Sequence, residues 1–299
     1  MKQYSQLFIS ILICSVFANF HLNAMESCPE DQQEMFKNCK GLYNFSDGSQ
    51  YNGEWKNNLK DGSGEYKYKD GAVYVGEFEL GNFHGKGEII FPDGSRYKGN
   101  FKKGKFSGQG VYSYADGSKY VGNFFEGKES GQGQYFWKNG ATYSGYFKNN
   151  KLNGQGKYIS QQGDSYIGNF SNNKFYGQGT YIWINKDKYI GEFKYDKKHG
   201  FGIYTFNNGD VYEGLFSNDK RHGQGKIMWF NGGYYVGVFK EGKFNGFGEY
   251  VDSNGDTYRG AFLNGKFDGA GTYIFKNGSI KEGIWKANNF LHDKNQSVK

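Results

Sequence analysis

Residues 97–117 read YKGNFKKGKFSGQGVYSYADG, and this stretch decides the fold. Tyr97, Gly99 and Phe101 alternate, the period-two pattern of a strand that shows one set of side chains to one face. Gly108-Gln109-Gly110 leads into Tyr112 and Tyr114, again two apart, so a second strand follows the first. Gly104 lies between them, where the chain must reverse, and Asp116-Gly117 closes the stretch with a turn dipeptide. The unit is a β-hairpin that ends in a turn leading to the next one.

Outward in both directions the pattern returns every 23 residues without insertion or deletion. Its copies start at Tyr51, Tyr74, Tyr97, Tyr120, Tyr143, Tyr166, Tyr189, Tyr212, Tyr235 and Tyr258, and Lys281 opens an incomplete eleventh. A fixed period of this size means an array in which each unit contacts only its neighbours. With the first Tyr as position 0, position 2 is Gly in every copy from Gly53 to Gly283. A strand Gly weakens pairing unless something must approach its backbone, and the expected visitor is an aromatic ring from a neighbouring strand. Position 7 is always Gly, Asn or Asp, the residues that enter the left-handed region most readily. The second strand is expected to begin at the G-x-G. The Asp-Gly and Asn-Gly dipeptides between units are expected to form tight hairpin turns, because both residues tolerate positive φ.

These features give an all-β fold: an elongated, single-layer, twisted antiparallel meander or solenoid of about ten 23-residue hairpins. At about 4.8 Å per strand, some twenty strands would extend on the order of 95 Å. The composition agrees. With 48 Gly, 2 Pro, 20% aromatic residues and a 36% hydrophobic fraction, the core must be thin and built from rings. Aromatics are too abundant for disorder, and no three-residue Gly period supports collagen. A net charge of +7 is too small to diagnose nucleic-acid binding, which is not expected.

The N-terminus differs in character. Lys2 precedes the apolar run Leu7 to Phe20, and Ala24 closes a short polar segment, the order of a secretory signal peptide. Cleavage after Ala24 leaves the better-proportioned segment, with Ala18 as the other site and an uncleaved anchor or an unrelated apolar segment as the remaining readings. Removal of Cys14 would leave Cys28 and Cys39, which in an oxidising compartment suggest one disulfide; two free thiols are the alternative. The expected organisation is signal peptide 1–24, extension 25–38, array 39–291 and tail 292–299. Within the array, half-repeats 39–50 and 281–291 flank the ten full repeats 51–280.

The repeat resembles the MORN repeat (membrane occupation and recognition nexus), whose pattern is close to YxGxFxxGxxxGxGxxxxxDG. Tyr97 to Gly117 matches it position for position. Departures are Lys186 at the turn Gly, Ser160 and Asp252 at aromatic positions, and Lys281 in place of Tyr. The family spans membrane-associated, cytoskeletal and ciliary proteins, and where its members are enzymes the resemblance implies a separate catalytic domain. With 38 residues before the array and 8 after it, no such domain is expected here. The resemblance therefore implies a cytoplasmic, cytoskeletal or membrane-associated setting, whereas the apolar N-terminus implies the secretory pathway or the cell exterior.

Site chemistry is sparse. His84, His199 and His222 share one loop position, and the closest two are a full repeat apart, too far to share a metal ion. No cofactor, metal or catalytic residue is expected. The polar feature that recurs is position 8, which is Lys in eight consecutive copies: Lys105, Lys128, Lys151, Lys174, Lys197, Lys220, Lys243 and Lys266. A row of ammonium groups suits an extended anionic partner, although Lys at a hairpin tip also simply keeps it solvated. The Phe at the next position in five of the ten full copies, Phe83, Phe106, Phe175, Phe244 and Phe267, is expected to pack the hairpin. The leading functional expectation is a non-catalytic scaffold that binds proteins and self-associates, forming homodimers. Peripheral binding to anionic phospholipid through the lysine rim is the alternative.

Overall fold

The computed structural model describes residues 25–293, so the expected signal peptide, 1–24, lies outside the described residues. Among these, 24 strands and no helix form a single open sheet. Strand β1 (Glu26–Ser27) pairs in parallel with β2 (Cys39–Asn44), which pairs antiparallel with β3 (Gln50–Lys56). From β3 and β4 (Leu59–Lys67) onward each strand pairs antiparallel with its sequence neighbours, to the last hairpin, Ile280–Lys286 and Asn289–Asp293. The sheet thus starts within the 25–38 extension and runs past Leu291.

The position-0 tyrosines form the spine of the core and are at most 1% exposed. Tyr97 meets Phe101 of its own repeat at 5.1 Å and Phe124 of the next at 5.0 Å, both edge to face. The same two contacts recur at Tyr74, Tyr166, Tyr189, Tyr212 and Tyr235, so rings alternate from repeat to repeat. Each such pair adds roughly 0.5–1.5 kcal/mol beyond the area it buries.

The invariant Gly is explained by a ring, but not the one expected. A Cβ on Gly99 would lie 2.6 Å from the Tyr97 hydroxyl and 2.6 Å from the Gly110 Cα. The visitor is the tyrosine two residues earlier on the same strand, which also covers the partner Gly110 across the pair. It folds inward because the ladder is broken there. Pairing jumps from Gly99–Gly110 to Asn100–Ser107, leaving Gly108 and Gln109 as a bulge with Gly108 at φ 59°. The Tyr97 hydroxyl donates to the Asn100 carbonyl beside the break at 2.8 Å, and all ten tyrosines make the equivalent bond.

The bulge also corrects the expected strand start. The second strand begins at position 8, as Lys105–Ser113, three residues before the first Gly of the G-x-G. That Gly is a left-handed residue inside the strand. At the hairpin tip both Lys103 and Gly104 are left-handed, at φ 49° and 78°, the geometry of a two-residue type I′ turn. Between repeats the expected turn forms, but only its Gly uses the left-handed region: Gly117 is left-handed and Asp116 is not. Its carboxylate accepts the Ser118 N–H, while Gly117 N–H bonds back to the Tyr114 carbonyl, so the Asp acts through its side chain. Lys186 holds the Gly place at φ 72°. Asp252, at an aromatic position, instead accepts the N–H groups of Asn254, Gly255 and Asp256.

Both ends replace the missing tyrosine with something else. Cys28 and Cys39 are joined by a disulfide, and Cys28 occupies the place over Gly41 that a tyrosine ring fills in full repeats. At the other end the Phe290 ring covers Gly283, where Lys281 stands in place of Tyr. Trp55 and Trp285, the first and last position-4 residues, each donate an indole N–H to a glycine carbonyl of the preceding unit, Gly41 and Gly271.

Candidate functional site: an aromatic groove

The face that carries the tyrosines is not sealed. Half-buried rings at positions 15 and 17, such as Tyr135 and Trp137 or Tyr181 and Trp183, line a groove along the array, and clefts open into it at several repeats. What fills the groove is decided by position 9. Phe83, Phe106, Phe175, Phe244 and Phe267 stack on the tyrosine of their own repeat at 3.7–3.9 Å between centroids. They pack the hairpin.

Where position 9 is basic, the charge lies over rings. The Lys60 Nζ is 4.3 Å from the Tyr66 ring centre and 5.4 Å from Phe45. The Lys198 Nζ is 5.0 Å from Tyr204 and 5.1 Å from Trp183. Burial pushes both ammonium groups below their ordinary range. Arg221 turns instead toward Tyr212 and Phe239 and donates to the Gly242 carbonyl.

Two consecutive repeats have neither a ring nor a cation there. Position 9 is Glu129 and then Leu152, and a cleft of about 560 Å³ opens between Tyr114 and Phe175. Trp137, Tyr158, Asn150 and Asp196 also line it. Glu129 is only 4% exposed; one carboxylate oxygen accepts the Tyr114 hydroxyl at 2.6 Å, and the other accepts no hydrogen bond among the described residues. Burial raises its carboxyl above the usual range, opposed by the Tyr114 bond. The sequence signal for Glu129 is that it is the single acidic residue at position 9 of any copy.

The lysine rim runs along the hairpin tips. All eight position-8 lysines are exposed. Three are paired with the turn of the next repeat: Lys105 with Glu126, Lys174 with Asp196 at 3.1 Å, and Lys220 with Glu241. Turn-to-turn stitches of this kind are systematic. Gly104 N–H donates to the Phe83 carbonyl of the previous repeat at 2.9 Å, and Asn150 accepts the Glu129 N–H at 2.7 Å. On the other rim, Asp164, Asp187 and Asp256 each accept from a tyrosine hydroxyl and a backbone N–H of the next repeat. Among the described residues no group of three His, Cys, Asp or Glu side chains is placed to hold a metal ion.

The MORN repeat model matches ten consecutive segments, from 51–73 to 258–280, with boundaries at every position-0 tyrosine. The chain belongs to the MORN-repeat family. MORN repeats are in general non-catalytic, and no enzyme family matches this chain. No curated protein matches it. Among solved structures it is similar to the TCP10 domain of Danio rerio CPAP in complex with a STIL peptide, at 9% identity and a TM-score of 0.41, covering 82% of this chain and 99% of that one. The SAS-4 TCP domain of Drosophila melanogaster, bound to a proline-rich motif of Ana2, matches at 13% identity and a TM-score of 0.28, covering 75% and 90%. A virginiamycin B lyase from Staphylococcus aureus matches at 10% identity and a TM-score of 0.15, covering 83% and 84%. At these scores no function is taken from the likeness.

Proposed function

We propose that this MORN-repeat protein is a non-catalytic scaffold that binds an extended protein segment along its aromatic groove. The observation that carries the reading is the recurrence of clefts on one face at equivalent repeat positions, each floored by half-buried rings. Such rings are the side chains that dominate protein interfaces. The opposite face supports self-association: Ile167, Ile190, Phe201, Leu215, Val236 and Phe247 are exposed there on six of the eight strands from Ser165–Ser171 to Lys243–Val251. The lysine rim favours a protein partner over a membrane, because three of its eight charges are already paired.

The test is capture of partners on the immobilised protein beside a variant carrying Trp137→Ala and Tyr204→Ala in the groove. Partners retained by the wild type and lost by the variant support the scaffold. Flotation with phosphatidylserine vesicles, abolished by Lys128→Glu, Lys151→Glu, Lys197→Glu and Lys243→Glu together, would replace it with the lipid reading. A concentration-independent monomer mass in light scattering would refute self-association. We also propose routing through the secretory pathway, supported by the apolar run Leu7 to Phe20 and the Cys28–Cys39 bond. An intact mass that shows a full-length, reduced chain from a eukaryotic host would overturn that.

A further inference from the structure

We propose that the cleft over Leu152, walled by Trp137 and Tyr158 and bordered by the Glu129 carboxylate, seats a lysine side chain of an extended partner polypeptide. The inference rests on the groove being a protein-binding surface and names what one part of it recognises. The pattern comes from the molecule itself. Ring pairs form at several places where position 17 of one repeat meets position 15 of the next, and beside two of them, Phe45 with Tyr66 and Trp183 with Tyr204, position 9 is Lys. Over each of these two pairs sits an ammonium group from position 9 of the same array, Lys60 and Lys198 respectively.

Trp137 and Tyr158 hold the same two repeat positions, 5.7 Å apart, with the rings edge to face at 78° where the two lysine-bearing pairs are tilted at 44° and 40°. Position 9 beside them is Leu152, which carries no charge, and among the described residues no cation lies over their rings. The electrostatics around this seat have the matching sign. Lys198 has Asp187 and Asp219 for countercharge. The cleft has Glu129, one carboxylate oxygen of which is unpartnered, while Asp196 at its edge is already held by Lys174 and the Phe175 N–H. A carboxylate that is 4% exposed and bonded only to a phenol is costly as an anion, and an incoming cation offsets that cost. The ammonium group fits the pattern, since Lys60 and Lys198 both supply one over such a pair; beside Arg221 position 15 is Ile227, so no ring pair forms there and its guanidinium lies against Tyr212 and Phe239. The cleft of about 560 Å³ exceeds one lysine side chain, leaving room for flanking backbone along the groove.

The experiment titrates the full chain with N-acetyl-lysine methylamide and follows the Trp137 indole N–H by NMR, assigned with Trp137→Phe. Norleucine and Nε-acetyl-lysine analogues test the charge. The expected result is a saturable shift with the lysine compound alone, weakened about tenfold or more by Glu129→Gln, which keeps an acceptor for Tyr114. Leu152→Lys should fill the seat from within and abolish the response while the other four indole signals stay in place. Equal shifts with the uncharged analogues, or an unchanged titration in Glu129→Gln, would overturn the proposal. Because the probe is a single amino acid, the result does not depend on whether a partner is captured. A positive titration without captured partners would sink the scaffold reading alone, and capture without titration would sink the lysine seat alone.

Discussion

Replacing Tyr97 by Phe removes one oxygen atom and tests how the repeat is closed. The ring stays, so its stack on Phe106 at 3.8 Å and its edge contacts with Phe101 and Phe124 are retained, and the apolar contribution is unchanged. What is lost is the 2.8 Å bond to the Asn100 carbonyl at the ladder break, in a place where Tyr97 is 0% exposed. A neutral hydrogen bond contributes a net 0.5–1.5 kcal/mol, and leaving a buried acceptor short of its donor costs about 1–3 kcal/mol, so we expect destabilisation of about 1–3 kcal/mol. The control is Tyr112→Phe, whose hydroxyl reaches only the Ser95 hydroxyl at 3.3 Å and should cost about 0.5 kcal/mol or less. Urea unfolding followed by tryptophan fluorescence and circular dichroism measures both, with hydrogen exchange at residues 98–110 to localise the change. If Tyr97→Phe unfolds with the wild type, or no earlier than Tyr112→Phe, the hydroxyl does not hold the bulge and the account of the repeat is wrong.

Gly99→Ala should be far worse, because its Cβ would lie 2.6 Å from both the Gly110 Cα and the Tyr97 hydroxyl, and neither can yield; we expect about 3 kcal/mol or more, read as loss of soluble protein or of the N-terminal repeats in hydrogen exchange. Burial holds the spine phenols well above their ordinary value of 10, to about 12 at Tyr97, Tyr143 and Tyr235. A raised folded pKa means stability that is complete below pH 10 and lost as pH rises toward 12, so unfolding and phenolate absorbance at 295 nm should rise together; phenolate appearing at pH 10 in a folded chain would contradict this. Glu129→Gln should raise the melting temperature at pH 7. The raised carboxyl contributes its stability below 4.5 and loses it as pH climbs through the folded value, so the gain of the variant should vanish at pH 4; a lower melting temperature at pH 7 would show the carboxylate to be stabilising.

The legibility of the chain in sequence follows from how each feature is encoded. Position-0 Tyr, position-2 Gly and the turn glycines repeat eleven-fold or nearly so, and a feature that every unit needs is written in every unit. The bulge was hidden because Gly108 marks a left-handed residue inside a strand, which composition does not distinguish from a strand start. Position 6 was invisible for a related reason. Leu80, Glu126 and Tyr195 adopt left-handed φ because the hairpin they join imposes it, against their own preference.

By itself the sequence determined the period, the meander of hairpins and the burial of its tyrosines, because periodicity of side-chain type is a local property. The tertiary structure alone decided which ring covers which glycine, since that depends on where the ladder breaks. It also decided that Cys28 and Phe290 take the tyrosine's place at the two ends, and that Glu129 and Leu152 leave the groove open between repeats filled by Phe106 and Phe175. Those facts concern contacts between units. Position 9 varies from copy to copy, and only stacking the copies shows which rings its side chain meets.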